Sequence, residues 1–324
     1  VSQARKNLGY HDMNHKYDWI LNAHQSEEQR DNAIQLIKEA DVVIYGSAPR
    51  QLLKGRLAER KLTFLYTERL YKRNSKWYKF PVRWVRYYFN YKRHKNLYLL
   101  CASAYTAADF ARSGAFQKKA YKWGYFPETK TYDNIHDILD RKEKNSILWV
   151  GRLIDWKHPE YVIKVAQQLK KQGYDFTVNV IGTGPLKECL QKQIMELGLE
   201  NNVRLLGAVS AQEVRTHMEK TEIFLFTSDR NEGWGAVLNE AMNSACAVVA
   251  GHLIGSVPFL IQHGKNGLIY KDGDIDELRE DVTFLLDNPV ERRTIGERAY
   301  FTIKEMWNAE VAAKNFLELV KSIK

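Results

Sequence analysis

From Ser146 to Gly251 short apolar runs alternate with amphipathic segments, and no other feature restricts the fold so strongly. The runs SILWVGRL, FTVNVIG, NVRLLGAV, EIFLFTS and AVVAG have the length and composition of strands. HPEYVIKVAQQLKKQ, PLKECLQKQIMELG, QEVRTHMEK and AVLNEAMNSA between them have helical spacing. Strands joined through helices pair in parallel, with helices covering the sheet. The first half repeats the pattern more briefly. EEQRDNAIQLIKEA reads as a helix with Ala33, Ile34 and Ile37 on one side, and DVVIYGSA, KLTFLYTE and NLYLLCAS read as strands.

Two such arrays, joined by a polar linker near 128–145 after the turn-forming Pro127, predict a two-domain α/β protein: residues 1–128, residues 129–304, and a C-terminal helix, 305–324, packing back toward the first domain. Ligands of open parallel sheets bind where loops leave the carboxyl ends of the strands, which points to the cleft between the domains. The first array holds no strand before residue 41 and looks short by one βα unit. Residue 1 is Val rather than Met, so the start is expected to be incomplete, and VSQARKNLGYHDMNHKYDWI has neither the charged nor the apolar region of a signal peptide.

The chain has 324 residues, 44% of them hydrophobic, enough for two cores of ordinary size, and no run approaches the roughly 20 apolar residues that cross a bilayer. Cys101, Cys189 and Cys246 are odd in number, far apart and set in apolar patterns, which predicts buried small hydrophobes in a reducing cytoplasm. Residues 69–95 hold ten Lys or Arg and no Asp or Glu, a count equal to the net charge of +10 on the whole chain. Tyr71, Trp77, Tyr78, Phe80, Trp84, Tyr87, Tyr88, Phe89 and Tyr91 are interleaved with them, and residues 81–93 can form a helix, opened by Pro81, with an aromatic and a basic side. Such a segment suits an anionic membrane surface, a solvated basic face whose aromatics complete the core, or nucleic acid; the membrane reading is adopted and nucleic acid is not.

Four strand-end loops of the second array carry unusual residues. In VGRLIDWKHPE, Arg152 and Lys157 follow Gly151 and approach a helix start, where backbone N–H groups and fixed cations together suit a phosphate. IGTGPLKE, with Gly182, is glycine-rich but lacks a third glycine, and reads equally as a tight turn. In LLGAVSAQE, Ser210 and Glu213 form a capping box. In SDRNEGWGAVLNEA, Glu232 stands at the loop tip and Glu240, eight positions on, leans back toward it from a helix starting near Gly235. Gly233 and Gly235 admit a ligand close to the backbone, as a diphosphate requires.

VGRL with Lys157, IGTGP, LLGAVS and above all EGWGAVLNEA, followed by HGKNGLIY, resemble the retaining nucleotide-sugar glycosyltransferases of family 4, which have the GT-B fold of two Rossmann-like domains facing across a cleft. The resemblance is strong over about 146–290 and weaker before 130, where TERLYKR and KWGYFP look like a bacterial surface-polysaccharide branch. It implies transfer, with retention and without a metal, of a sugar from a UDP-sugar or GDP-sugar to a hydroxyl of a glycan or lipid-linked acceptor, by a cytoplasmic protein held peripherally at the inner face of the plasma membrane. Arg152 and Lys157 then match the family's pair at the donor diphosphate, Glu232 the carboxylate on the donor sugar and Glu240 the one on the ribose. Gly233, Trp234, Gly235, Ala236 and Val237 match the phosphate-contacting stretch, and Val209 the lining of the base pocket.

The family's histidine after the strand matching KLTFLYTE is replaced here by Thr67, Glu68 and Arg69, so an acceptor-side role passes to Glu68 or Arg69. DGD at 272–274 reads as a turn and helix cap rather than a metal motif, and His11 with His15 as a polar loop, so no metal site is assigned. A non-catalytic membrane-surface protein, and a GT-B phosphorylase or epimerase, are the competing readings.

Overall fold

Both arrays form parallel sheets. The computed structural model describes residues 17, 20–23, 25–72 and 80–323, and the chain divides into two compact units, Val1–Gly124 and Tyr125–Lys324. His11, His15, Trp77 and Tyr78, and the side chains of Phe80 and Arg83, lie outside the described residues.

The first unit runs α1 (Glu27–Glu39), β1 (Val43–Tyr45), α2 (Lys54–Ala58), β2 (Thr63–Thr67), α3 (Phe80–Tyr87), β3 (Leu97–Cys101), α4 (Thr106–Arg112) and β4 (Ala120–Lys122). Its strands lie in chain order, β1-β2-β3-β4, all parallel. Among the described residues β1 pairs with β2 alone, and Ile44 on it is exposed. Leu99, Cys101, Phe110 and Phe116 make the core with Leu53 and Leu57.

The side chain of Arg56, buried to 1% exposure, organises this unit. Its guanidinium donates to Thr63 Oγ1 at 3.0 Å and to the carbonyls of Ile37 (2.8 Å), Asp41 (3.1 Å), Leu62 (2.6 Å) and Ala40. A buried guanidinium is tolerated only when its donors are used, and here they satisfy carbonyls left over at the end of α1 and tie them to the entrance of β2. After α3 the chain continues through a π-helical turn, Tyr88–Lys92. The aromatics of this stretch divide: Tyr87 and Tyr91 pack with Phe110 and Phe116, while Trp84, Tyr88 and Phe89 are exposed beside exposed Arg86, Lys92 and Arg93. Core completion and an open basic-aromatic face are thus both present.

The second unit runs α5 (Ile135–Asp140), β5 (Glu143–Val150), α6 (Pro159–Lys171), β6 (Thr177–Ile181), α7 (Lys187–Glu196), β7 (Val203–Gly207), α8 (Ala211–Lys220), β8 (Thr221–Phe226), α9 (Val237–Asn243), β9 (Ala247–Gly251), α10 (Val257–Leu260), β10 (Leu268–Tyr270), α11 (Ile275–Asp287), α12 (Pro289–Phe301) and α13 (Ala309–Ile323). The order is β10-β9-β8-β5-β6-β7. Successive side chains of a strand point to opposite faces. Accordingly Ile147, Trp149, Val178, Ile223 and Val249 enter one core with α6, α7 and α11, and Leu148, Phe224, Phe226 and Val248 enter the other with α8 and α9. Two covered faces explain why these strands read as continuous apolar runs.

Two sequence expectations change, the linker and the burial of Cys189, and two strands went unpredicted. Residues 128–145 are no linker: α5, capped by Asn134, packs Ile135 and Leu139 against Ala245 and Tyr300, and β5 already begins at Glu143. The strands β4 and β10, three residues each, are too short to show alternation. Cys189 is exposed on α7, whereas Cys101 and Cys246 are buried. Among the described residues no helix is long and apolar enough to cross a membrane. Replacing Arg56 by Met strands the carbonyls of Ile37, Ala40 and Asp41, while that of Leu62 keeps the Val43 N–H, and we expect it to lower stability by about 3 kcal/mol or more, since one buried unsatisfied group costs about 1–3 kcal/mol. Urea unfolding, with hydrogen exchange at β1 and β2 to localise the loss, checks this.

Candidate active site

Because β8 returns to the opposite side of β5 from β6, the loops leaving β5 and β8 part at adjacent strand ends, the place where open parallel sheets bind ligands. Arg152 and Lys157 come from the first loop, Glu232 to Val237 from the second. The Asp229 N–H donates to the Trp156 carbonyl at 3.0 Å. Thr227 Oγ1, which accepts from Trp149 Nε1 at 2.8 Å, lies 2.7 Å from the Lys157 carbonyl oxygen. The two loops are therefore one hydrogen-bonded structure.

At its centre the Lys157 ammonium donates to Glu232 Oε2, with 13% and 11% of the two side chains exposed. Ser228 Oγ donates to the same oxygen at 3.0 Å. The ammonium also lies 4.8 Å from the Trp156 ring centre and 5.8 Å from that of Phe226. A nearly buried pair of this kind holds together because each charge offsets the other, and removal of either leaves its partner uncompensated. Arg152 is exposed, its guanidinium 5.8 Å from the Trp156 ring centre.

Two glycines permit this geometry. A Cβ on Gly182, whose φ is +139°, would come within 1.8 Å of the Gly151 carbonyl oxygen, so the IGTGP glycine lets the loops after β5 and β6 lie backbone to backbone. A Cβ on Gly235, φ +83°, would meet the Phe226 ring at 2.2 Å. The ring of Trp234 does not line the site: it is fully buried, donates through Nε1 to Asn239 Oδ1 at 2.9 Å and stacks on Trp307 at 5.6 Å. Ala236 caps α9 and Val237 begins it, two residues later than expected from the glycines, and both, like Val209, are partly buried against the core below. Glu240 lies in the first turn of α9. Burial raises its pKa, and Arg215 opposes that shift. Arg215 Nη1 donates to Asn243 Oδ1 at 2.9 Å and to the Glu240 carbonyl at 3.3 Å.

Ser228, Asp229, His158 and Arg215 went unmarked in the sequence. His158 has φ 50° and ψ 51° just before Pro159, an unusual backbone position for a residue other than glycine. Its ring stacks on Tyr161 at 4.5 Å and pairs with Glu160 at 2.8 Å and Asp229 at 3.7 Å. Burial works against its charged form, but Glu160, Asp229 and Asp272 outweigh it and raise its pKa. The KHPE spelling was the one available signal.

Glu68 and Arg69 belong to the first unit. Arg69 is buried, 3.8 Å from Asp109 Oδ2 and 4.5 Å over the Tyr105 ring. Asp109 Oδ2 also accepts the N–H groups of Leu70 and Tyr71, each at 3.0 Å, so Arg69 is turned into its own domain. Glu68 pairs with Lys72 at 3.3 Å. Asp274 caps α11, accepting from the Glu277 N–H at 3.0 Å, and Gly273 has φ +82°, so DGD is a turn and cap. Among the described residues no three His, Cys, Asp or Glu side chains cluster as metal ligands.

Residues 132–301, just over half of the chain, match the family model for glycosyl transferases group 1, and the chain belongs to that family. It is 31% identical over 153 residues to an alpha-D-kanosaminyltransferase of Streptomyces kanamyceticus, covering 47% of this chain and 39% of that protein. It is 28% identical over 199 residues to the amylovoran biosynthesis glycosyltransferase AmsK of Erwinia amylovora, covering 60% and 47%. The chain thus spans less than half the length of these relatives. Its fold, GT-B, is that of Anabaena HepE solved in complex with UDP, with a TM-score of 0.70 at 17% identity over 91% of this chain and 82% of that one.

The raised pKa of Glu240 gives a signed expectation. With the folded value above the unfolded one, ionisation costs stability at pH above the folded value, and the cost vanishes as pH falls below the unfolded one. Glu240→Gln should therefore unfold at an equal or higher urea midpoint than the native chain at neutral pH, the difference closing on acidification. A lower midpoint would show that the charge is fully compensated.

Proposed function

We propose that the protein transfers a sugar, with retention, from a nucleoside-diphosphate sugar, UDP- or GDP-linked, to a hydroxyl of a glycan or lipid-linked acceptor in cell-surface polysaccharide synthesis. The observation that carries this is the Lys157–Glu232–Ser228 cluster at the strand ends, with exposed Arg152 and the entry to α9 beside it. Family membership and the AmsK likeness support the reaction class.

In this reading the bond from the anomeric carbon to the diphosphate breaks, its electron pair goes to the diphosphate oxygen, and positive charge develops on the sugar ring. Lys157 spends one of three N–H donors on Glu232 and keeps two for phosphate oxygens. Arg152 adds a fixed charge, and the backbone N–H groups from Gly235 to Val237 add dipoles. One such donor supplies ~3 kcal/mol of transition-state stabilisation, by analogy with an oxyanion-hole donor. Glu232, with Oε2 occupied by Lys157 and Ser228, offers its other oxygen to a donor-sugar hydroxyl, and Glu240 takes the ribose. The acceptor oxygen attacks on the face the diphosphate leaves, and its proton passes to the departing phosphate oxygen. Glu68, half-buried after β2, is the acceptor-side candidate, because Arg69 is already engaged by Asp109.

The open face formed by Trp84, Tyr88, Phe89, Arg86 and Lys92 supports reversible attachment to an anionic membrane, where each basic residue contributes about 1 kcal/mol. A non-catalytic membrane protein would have that face but no need of the Lys157–Glu232 cluster.

Lys157→Ala and Glu232→Ala should each lower turnover of a nucleotide-sugar donor at least ~100-fold, in line with loss of one such interaction, with the far-ultraviolet spectrum unchanged. Activity should survive EDTA, since Arg152, Lys157 and the entry to α9 offset the diphosphate charge. Wild-type turnover in either variant, or loss in EDTA reversed by Mg²⁺, would reject the assignment. Separately, sedimentation with phosphatidylglycerol vesicles should exceed that with phosphatidylcholine alone, fall with salt, and fall in Arg86→Glu/Lys92→Glu while donor turnover in solution is retained. Equal sedimentation with both lipids would remove the membrane from the proposal.

A further inference from the structure

The first unit contains a second concentration of charge, separate from the residues just discussed. A cavity of about 400 Å³ is lined by Arg50, Gln51, Lys54, Asn90, Arg93 and His94 over a floor of Leu57 and Ala58, and no carboxylate lines it. A shallower extension of about 180 Å³ shares Arg93 and His94 and adds Arg60, Lys61 and Lys95, again without a carboxylate. Lys61 is paired with Glu59 at 3.4 Å. Among the described residues no carboxylate forms an ion pair with Arg50, Lys54, Arg60, Arg93 or Lys95.

Arg50 is held in place: one N–H donates to the Asn90 carbonyl, and its guanidinium lies 4.9 Å from the Tyr91 ring centre, with no other acceptor for the fork among the described residues. Arg93 Nε lies 3.3 Å from His94 Nε2. Burial, then Arg93 and Arg50, lower the His94 pKa, which is how a half-buried group responds to a local positive potential. Arg60 and Lys61 stand just before β2, and Arg93 to Lys95 just before β3. The cavity thus reaches the amino ends of these strands, whereas sheets of this type bind their main ligands at the carboxyl ends. Folding brings the five cations together without a counter-charge, and each would gain from an anion that bridges them.

We propose that this cavity is a binding site for a phosphate or diphosphate group, carried by a small phosphorylated molecule or by a phospholipid headgroup. Two guanidinium forks and a lysine match the several acceptor oxygens and double charge of phosphate better than a single carboxylate would. The volume admits the phosphate with an attached group, as in ordinary ligand pockets of about 300–1,000 Å³. The inference does not depend on the donor reading, and its test is built to keep the two apart.

Sodium pyrophosphate is titrated calorimetrically into the full chain carrying Arg152→Ala and Lys157→Ala, so that the two cations of the donor reading contribute nothing. Saturable binding is expected, weakened at least ~tenfold by adding Lys54→Glu and Arg93→Glu, because charge-assisted hydrogen bonds to the phosphate are lost and replaced by repulsion. Lys171→Glu with Lys187→Glu, exposed positions of the second unit, changes net charge equally and should leave binding within about twofold, the cost of screened distant charges. If the double variant fails to fold, Lys54→Ala alone should still weaken binding several-fold. In a second arm, phosphatidylcholine vesicles doped with phosphatidic acid replace pyrophosphate. Sensitivity of that arm to Lys54→Glu/Arg93→Glu identifies a lipid headgroup, and sensitivity of pyrophosphate alone identifies a soluble phosphate. No saturable binding in either arm, or equal losses in the cavity and control variants, overturns the proposal.

Discussion

The site depends on one topological constraint: after β7 the chain crosses back and lays β8 against the free side of β5. Right-handed crossovers then place helices on opposite faces to either side of β5, so the loops leaving β5 and β8 start from adjacent strand ends and meet there. Lys157 and Glu232, 75 residues apart in the chain, become a nearly buried ion pair only because of that return. The pair costs desolvation that its Coulomb attraction and Ser228 offset. It also fixes both side chains.

A second dependence lies in the segment that opens the second unit. The Tyr125 carbonyl accepts from Trp307 Nε1 at 3.1 Å and lies 3.4 Å from Asn239 Nδ2, while the Lys130 backbone exchanges two hydrogen bonds with the Asn243 amide, at 2.8 and 3.0 Å. Asn239 and Asn243 are one turn apart on α9, the helix that carries Glu240. The segment therefore runs along that helix as a strap. Trp234, between Tyr125 and Trp307, joins the strap to the glutamate loop. Tryptophan in EGWG serves the loop by anchoring it from below.

What was legible followed from period and punctuation. The strands of the second unit stood out because both faces of that sheet are covered, and the Ser210–Glu213 box and the Asp274 cap were read from local spacing alone. Helix α5 was missed because Ile135 and Leu139 make too short a pattern, meaningful only against Ala245 and Tyr300. The basic segment proved to be two things, since Tyr87 and Tyr91 enter the core and Trp84, Tyr88 and Phe89 stay outside. Helical spacing ranks positions on a face but does not say where a neighbouring element ends.

By itself the sequence determined the parallel α/β class, the strands of the second unit that are covered on both faces and the caps at Ser210 and Asp274, because each rests on interactions within a few residues of chain. Only the tertiary structure decided that Lys157 holds Glu232, that Gly182 serves loop packing, that Trp234 and Arg69 turn inward, and that Arg50, Lys54 and Arg93 surround one cavity. Those outcomes join residues far apart in the chain. Burial and ion pairing act through distance in space, which the strand order sets and no local pattern encodes.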